Sequence, residues 1–269
     1  MERIMIPLKV HAVKLEYRRL LLEQIPHGYI CIRRGQKQVA ITYEPDMPKT
    51  SPRRPRFLSV STARGKEYAE KISKYLKIKL EYDYLLNSWY ATYCIAPPRV
   101  RFPITPLLVS HDMNNEYFDS KKENCGKYIA DNPTFSDHGD LKSKNELIAS
   151  ELLQHMGIPF KYETELYIPE VGKTINPDFL LSFYEIDRCF YLEVLGMNDK
   201  GDYSVKTATK LYDYSKGKYR PGREVIYIVL YDKSNFDSTV FVHQVLSAFN
   251  TLIPDDALEW GIENTAIPL

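Results

Sequence analysis

Two carboxylates set at apolar strands constrain this chain more than any other feature. Pro177-Asp178 leads into the apolar run Phe179 to Phe183, and Glu193 interrupts Cys189-Phe190-Tyr191-Leu192-Glu193-Val194-Leu195-Gly196. An ionised side chain in such a strand is costly to bury unless something compensates it. Two of them close together repel, unless a divalent cation lies between them. A helix bearing Glu146 precedes the pair. A helix with Lys206 and Lys210, four apart and so on one face, follows it. The pattern points to a metal site and toward hydrolysis of a phosphodiester.

That chemistry asks for carboxylates to hold one or two hard cations, an oriented or deprotonated water, and positive charge against the reacting phosphate. Asp178 and Glu193 are the candidate ligands, and the peptide carbonyl of Val194 is a natural further one. Lys210 or Lys206 would supply the cation. Glu146 would complete the ligand set, directly or through water. Plainer readings compete. Asp178 after Pro177 is also an ordinary turn residue, and Ser143 with Glu146 forms a capping box that needs no metal. Glu163 and Glu165 read as surface charges, and His111, His138, His155 and His243 show no ligand spacing.

The surrounding elements follow from period and punctuation. A helix is expected over about Val10 to Glu23, stopped by Pro26-His27-Gly28, then a hairpin of Tyr29 to Arg33 and Gln38 to Tyr43 joined through Arg34-Gly35-Gln36-Lys37. An irregular loop with four prolines spans Glu44 to Arg56, and a short strand follows at Phe57 to Val60. Two helices are expected next, Ser61 to about Tyr75 and about Leu80 to Tyr90. Residues 94–140, broken by prolines, read as a connector with short helical pieces. After it come a helix over Asn145 to His155, strands at Phe160 to Ile168, Phe179 to Phe183 and Cys189 to Leu195, a helix over Tyr203 to Tyr214, a strand at Glu224 to Tyr231 and a final helix over Ser238 to Leu252. The expected organisation is an α/β accessory region over 1–93, the connector over 94–140, and an α/β domain with a mixed sheet over 141–269.

The order helix, three strands, helix, strand, with Glu146, Pro177-Asp178 and Glu193-Val194-Leu195 at these places, resembles the PD-(D/E)XK nuclease superfamily over about residues 141–232. It is most similar to a phage- and bacterial-type subgroup, through Ser143-Lys144-Asn145-Glu146, Glu193-Val194-Leu195-Gly196-Met197, and Tyr203, Lys210 and Tyr214. The usual lysine two residues after the glutamate is Leu195 here. The resemblance implies that its place is taken by Lys210, pointing at Asp178 and Glu193. It also implies a restriction-endonuclease-like core of order α-β-β-β-α-β and a Mg²⁺- or Mn²⁺-dependent nuclease acting on DNA. Glu146, Asp178, Glu193 and Lys210 would then be catalytic, with Asp178, Glu193, the Val194 carbonyl and Glu146 around the metal. The alternative is a catalytically inactive protein of the same fold that serves as a nucleic-acid-binding or assembly module.

Charge and length leave both readings open. The formal net charge is +1, which neither demands nor excludes a polyanionic partner. Arg33 and Arg34, Arg53 and Arg54, and Lys206 are candidate phosphate contacts. No helix-turn-helix or zinc-finger motif is present. Further protein subunits are compatible with the sequence. Cys31, Cys94, Cys125 and Cys189 have neither zinc-site spacing nor a disulfide pattern. The N-terminus lacks a secretory signal's apolar region, and no run approaches the roughly 18 apolar residues that span a bilayer. A soluble, cytoplasmic protein is expected.

Overall fold

The computed structural model describes residues 6–45, 54–105, 111–124, 134–136, 139–195, 201–230 and 236–261. The chain divides into two compact units, residues 11–100 with 258–269, and residues 1–10 with 101–257. These lines fall elsewhere than the expected 1–93, 94–140 and 141–269. Residues 101–140 belong with the unit carrying Asp178 and Glu193, and residues 258–269 belong with the other.

The unit of residues 11–100 takes most of α1 (Leu8–Glu23), then β1 (His27–Arg33), β2 (Gln36–Tyr43) and β3 (Arg56–Ser59), an antiparallel sheet of order β1-β2-β3. Arg34 and Gly35 both have positive φ, 51° and 74°, so a two-residue turn joins β1 to β2 and matches the strands' right-handed twist. One helix of 31 residues, α2 (Ala63–Tyr93), replaces the two expected there. No Gly or Pro stands between Gly65 and Tyr93, so propagation, one hydrogen bond per added residue, is never interrupted. Thr62 caps its start by accepting from the Gly65 N–H, and Ile72, Ile78, Leu85 and Trp89 bury one stripe. Val39 and Ile41 of β2 pack on Ile72.

The other unit holds the candidate site. Its segment before Leu141, expected to be a connector, contains α3 (Asn115–Ser120), with Asn114 as side-chain cap, and a small hairpin of Thr134–Ser136 with Gly139–Leu141. Then follow α4 (Lys144–His155), β4 (Phe160–Tyr162), a separate hairpin of Leu166–Ile168 with Lys173–Ile175, β5 (Phe179–Phe183), β6 (Arg188–Leu195), α5 (Gly201–Lys216), β7 (Val225–Val229) and α6 (Ser238–Leu252). The sheet order is β7-β6-β5-β4. The pairs β4-β5 and β5-β6 are antiparallel, and β6-β7 is parallel. The fold is α/β with a mixed sheet, and α5 provides the crossover that a parallel pair requires.

The strand expected from Phe160 to Ile168 is two strands, because Glu163 takes a left-handed φ of 47° and bends the chain out of the ladder. The two faces of the sheet follow the period of two. Cys189 and Tyr191 of β6 and Leu180 of β5 share a core with Phe118, Tyr214 and Tyr219. On the opposite face, Phe183 and Phe190 pack on Phe249 of α6, with ring centroids 4.4 and 5.0 Å apart. Glu193 falls on the face of Cys189 and Tyr191, which is the face that α5 covers.

Candidate metal-binding and catalytic site

The last ladder pair between β5 and β6 is Phe179 with Leu192, so Asp178 stands opposite Glu193 and Pro177 opposite Val194. Pro177 explains what happens there. Leu192 turns its peptide groups toward β5, and two residues on, Val194 does the same. Its N–H donates to Oδ2 of Asp178 at 2.7 Å. Its carbonyl leaves the strand on the same side, where a ladder would place the N–H of residue 177; proline has none to give. The Pro-Asp pair thus ends the sheet while leaving a carboxylate and a main-chain carbonyl at one edge.

Glu193 is fully buried. The α5 helix brings two donors to it one turn apart. Lys210 Nζ donates to Oε2 of Glu193, and Tyr214 Oη donates to Oε1 at 2.5 Å. The same Lys210 ammonium is 3.7 Å from Oδ1 of Asp178. Lys210 therefore reaches both carboxylates, in the place expected of it. Lys206, one turn earlier, is exposed. Also on α5, buried Asp213 accepts from Lys173 Nζ at 2.6 Å, tying the helix to the Leu166–Ile168/Lys173–Ile175 hairpin.

Glu146 comes from the first turn of α4. Ser143 is the helix cap, accepting from the Glu146 N–H at 3.2 Å, and its hydroxyl donates to Oε1 of Glu146 at 3.0 Å. The reciprocal main-chain bond of the capping box shifts by one residue. The Lys142 N–H, rather than that of Ser143, donates to Oε2 of Glu146 at 3.0 Å. A third donor comes from the sheet, Tyr162 Oη at 2.6 Å from the same Oε2. Glu146 therefore has the capping role, and it also lies near enough to Asp178 for the two charges to interact.

The electrostatics tie these groups together. Burial, then Asp178, pushes the Glu193 carboxyl up to about 8, against the downward pull of Lys210 and Tyr214. Burial, then Asp178, also raises Glu146, against its bonds from Tyr162, Ser143 and the Lys142 N–H. Burial pulls the Lys210 ammonium down, but Asp178, Glu193 and Glu146 outweigh it and hold that pKa above the ordinary lysine range. Three carboxylates against one ammonium leave a formal deficit of two positive charges when all are ionised. Carboxylates and a carbonyl are the oxygen donors a hard dication takes, so the donor set fits Mg²⁺ or Mn²⁺. Among the described residues, however, no three His, Cys, Asp or Glu side chains are grouped as a ready-made metal cage; the Lys210 ammonium takes the central position.

Two residues at the site, Tyr162 and Lys142, were not singled out from the sequence, and Tyr214 was marked only by the family resemblance. Tyr162 and Tyr214 each hold a carboxylate, and Lys142 donates through its backbone to Glu146 and through its side chain to Glu163. Glu163, expected on the surface, is buried, because the bend at its left-handed φ turns it onto Lys142; Glu165 is exposed. A tyrosine in an apolar strand looks like core, and only the partner across the fold reveals its hydroxyl's task. Of the remaining candidates, exposed Arg33, Arg34 and Arg54 belong to the unit of residues 11–100, with the Arg33 guanidinium 4.4 Å over the Phe57 ring. Arg53, His138, Cys125, Gly196 and Met197 lie outside the described residues. His111 stacks on Tyr219 with centroids 4.0 Å apart, and Cys31, Cys94 and Cys189 are free thiols. Among the described residues no helix is long and apolar enough to cross a membrane. Compared with known families, curated proteins and solved structures, the chain matches none.

Proposed function

We propose that this protein is a metal-dependent nuclease that hydrolyses phosphodiester bonds in DNA, built on a restriction-endonuclease-like core in which α4, β4, β5, β6, α5 and β7 supply the α-β-β-β-α-β order. The observation that carries the reading is the convergence of Asp178 and Glu193, from two strands, on the single ammonium of Lys210. Asp178, Glu193 and the Val194 carbonyl would hold Mg²⁺ or Mn²⁺, with Glu146 beside them. When bound, the dication would supply Lewis acidity toward a phosphate oxygen and a lowered pKa for its water. The chain's own part is positional. Tyr214 fixes Glu193, the Val194 N–H fixes Asp178, and Lys210 presents positive charge where negative charge grows on the phosphate. Exposed Lys206, on the same helix, is a candidate contact to the nucleic-acid backbone. The test is cutting of plasmid DNA with Mg²⁺ or Mn²⁺ by the wild type, Asp178→Ala, Glu193→Ala and Lys210→Ala, each shown to be folded. Cutting that depends on all three residues supports the reading, and undiminished cutting by Asp178→Ala removes it.

A second reading has its own observation. Lys210 and Tyr214 already occupy both oxygens of Glu193, an arrangement that holds a fold together without metal. On that reading the protein is a silent nucleic-acid-binding or assembly module. Calorimetric titration separates the two: Mn²⁺ binding by the wild type and not by Glu193→Ala favours the enzyme, and no binding by either favours the module.

A further inference from the structure

We propose that Tyr162 is a positioning residue for Glu146, its hydroxyl carrying the geometry of the sheet to the helix carboxylate. The proposal rests on the metal-site reading above and adds to it a residue that no sequence pattern marks out.

Tyr162 is 1% exposed and stands at the end of β4, opposite Phe179 of β5, the residue next to Asp178. Its ring lies against Phe179, with centroids 5.5 Å apart at 57°, so the phenol has little room to swing. The hydroxyl donates to Oε2 of Glu146 at 2.6 Å and accepts from the Lys142 N–H at 3.2 Å. Lys142 N–H also reaches Oε2 of Glu146, closing a triangle of phenol, carboxylate and peptide.

Capping α4 does not need this bond. Ser143 and the main chain at Lys142 already meet the cap's requirements, as they do at helix ends with no tyrosine nearby. What the phenol adds is a link between two elements. Glu146 rides on a helix, whereas Asp178 and Glu193 are fixed by β5 and β6. With Oε2 tied to a side chain of β4, the position of Glu146 relative to Asp178 is set by the sheet and not by the fraying first turn of a helix. Among the described residues Oε1 carries only the bond from Ser143, which leaves acceptor capacity for a metal or its water. A partner that orients a ligand in this way changes metal affinity or activity by about 10- to 100-fold when removed.

The experiment compares the wild type, Tyr162→Phe, Glu146→Gln and the double variant in three measurements: Mn²⁺ affinity by calorimetry, cutting of plasmid DNA, and thermal unfolding. The ring of phenylalanine keeps the contact with Phe179, so the variant loses one oxygen and no packing. About 10-fold weaker Mn²⁺ binding and a lower kcat, with KM for DNA unchanged, are expected in Tyr162→Phe. The double variant is expected to bind and cut no worse than Glu146→Gln, because the phenol acts only through that carboxylate. Wild-type Mn²⁺ affinity in Tyr162→Phe would overturn the proposal and leave the metal site standing. So would losses that multiply in the double variant, or a Tyr162→Phe protein that does not fold, since either makes the hydroxyl something other than a device for placing Glu146. A wild type that takes up no Mn²⁺ would overturn the metal site and this proposal together.

Discussion

Replacing Tyr214 by phenylalanine isolates one bond at the heart of the site. Tyr214 and Glu193 are both fully buried, and the hydroxyl donates to the carboxyl at 2.5 Å. Phenylalanine fills the same volume, so no cavity opens, and no solvent reaches Glu193 to replace the lost donor. A hydrogen bond to a charged group contributes about 1.5–3 kcal/mol, and an orphaned buried acceptor costs a similar amount. At about 2–4 °C per kcal/mol for a protein of this size, the melting point should fall by roughly 3–12 °C. Urea unfolding above the Glu193 value of about 8, where that carboxyl is ionised, checks this directly, as a lower midpoint at unchanged slope. The same substitution made in Glu193→Gln should lose appreciably less, because the acceptor is then neutral and can turn. A Tyr214→Phe protein within about 0.5 kcal/mol of wild type, or equal losses in the two backgrounds, would refute the assignment of that bond as a support of buried charge.

The other perturbations probe the rest of the chain. His11 is buried against Trp89 and Tyr93, with Nε2 at 2.9 Å from the Leu85 carbonyl oxygen, and burial lowers its pKa from 6.5. The unfolded chain therefore binds a proton that the folded one resists. The stability His11 contributes is present above pH 6.5 and lost as pH falls toward the folded value, at up to about 1.4 kcal/mol per pH unit. Unfolding curves between about pH 7 and 5 should show this slope in wild type and not in His11→Gln; parallel slopes would contradict it. Arg34 holds a left-handed φ in the β1–β2 turn, so Arg34→Asn, which favours that conformation, should raise stability by up to about 1 kcal/mol, read as a higher urea midpoint; a loss would count against the turn. At Gly65 an added Cβ would lie 1.8 Å from the Ser59 carbonyl oxygen, and Gly65→Ala should destabilise by about 1–3 kcal/mol, measured by thermal melting; a neutral effect would mean that β3 and α2 do not pack so closely.

Legibility in the sequence tracked how local the cause was. The hairpin at Arg34-Gly35 and the helix starting after Ser143 are written in residues adjacent to the feature, and both stand within a few residues of their expected places. The strand of Glu193 could be read from its apolar run, and the period of two then decides its face. What escaped depended on distant partners. Nothing near Glu163 announces a left-handed bend. Nothing in the apolar and basic alternation of Leu76-Lys77-Ile78-Lys79 distinguishes a break from the middle of a long helix until the buried stripe is seen. At the site, Asp178 and Glu193 stood out because acids in apolar strands are rare, and Lys210 stood out only through the family resemblance. Tyr162 did not, because a tyrosine among apolar residues needs no explanation until its hydroxyl is seen to meet a carboxylate, and Tyr214 was marked only by that resemblance.

The most direct measurement is a crystal structure of the protein soaked in Mn²⁺, with the metal located by its anomalous signal. A peak within coordinating distance of Asp178 and Glu193, on the Val194 carbonyl side, with Lys210 displaced from its central place, is the expected result. A crystal in which Lys210 keeps its ion pair with Glu193 and no Mn²⁺ lies against either carboxylate would contradict it.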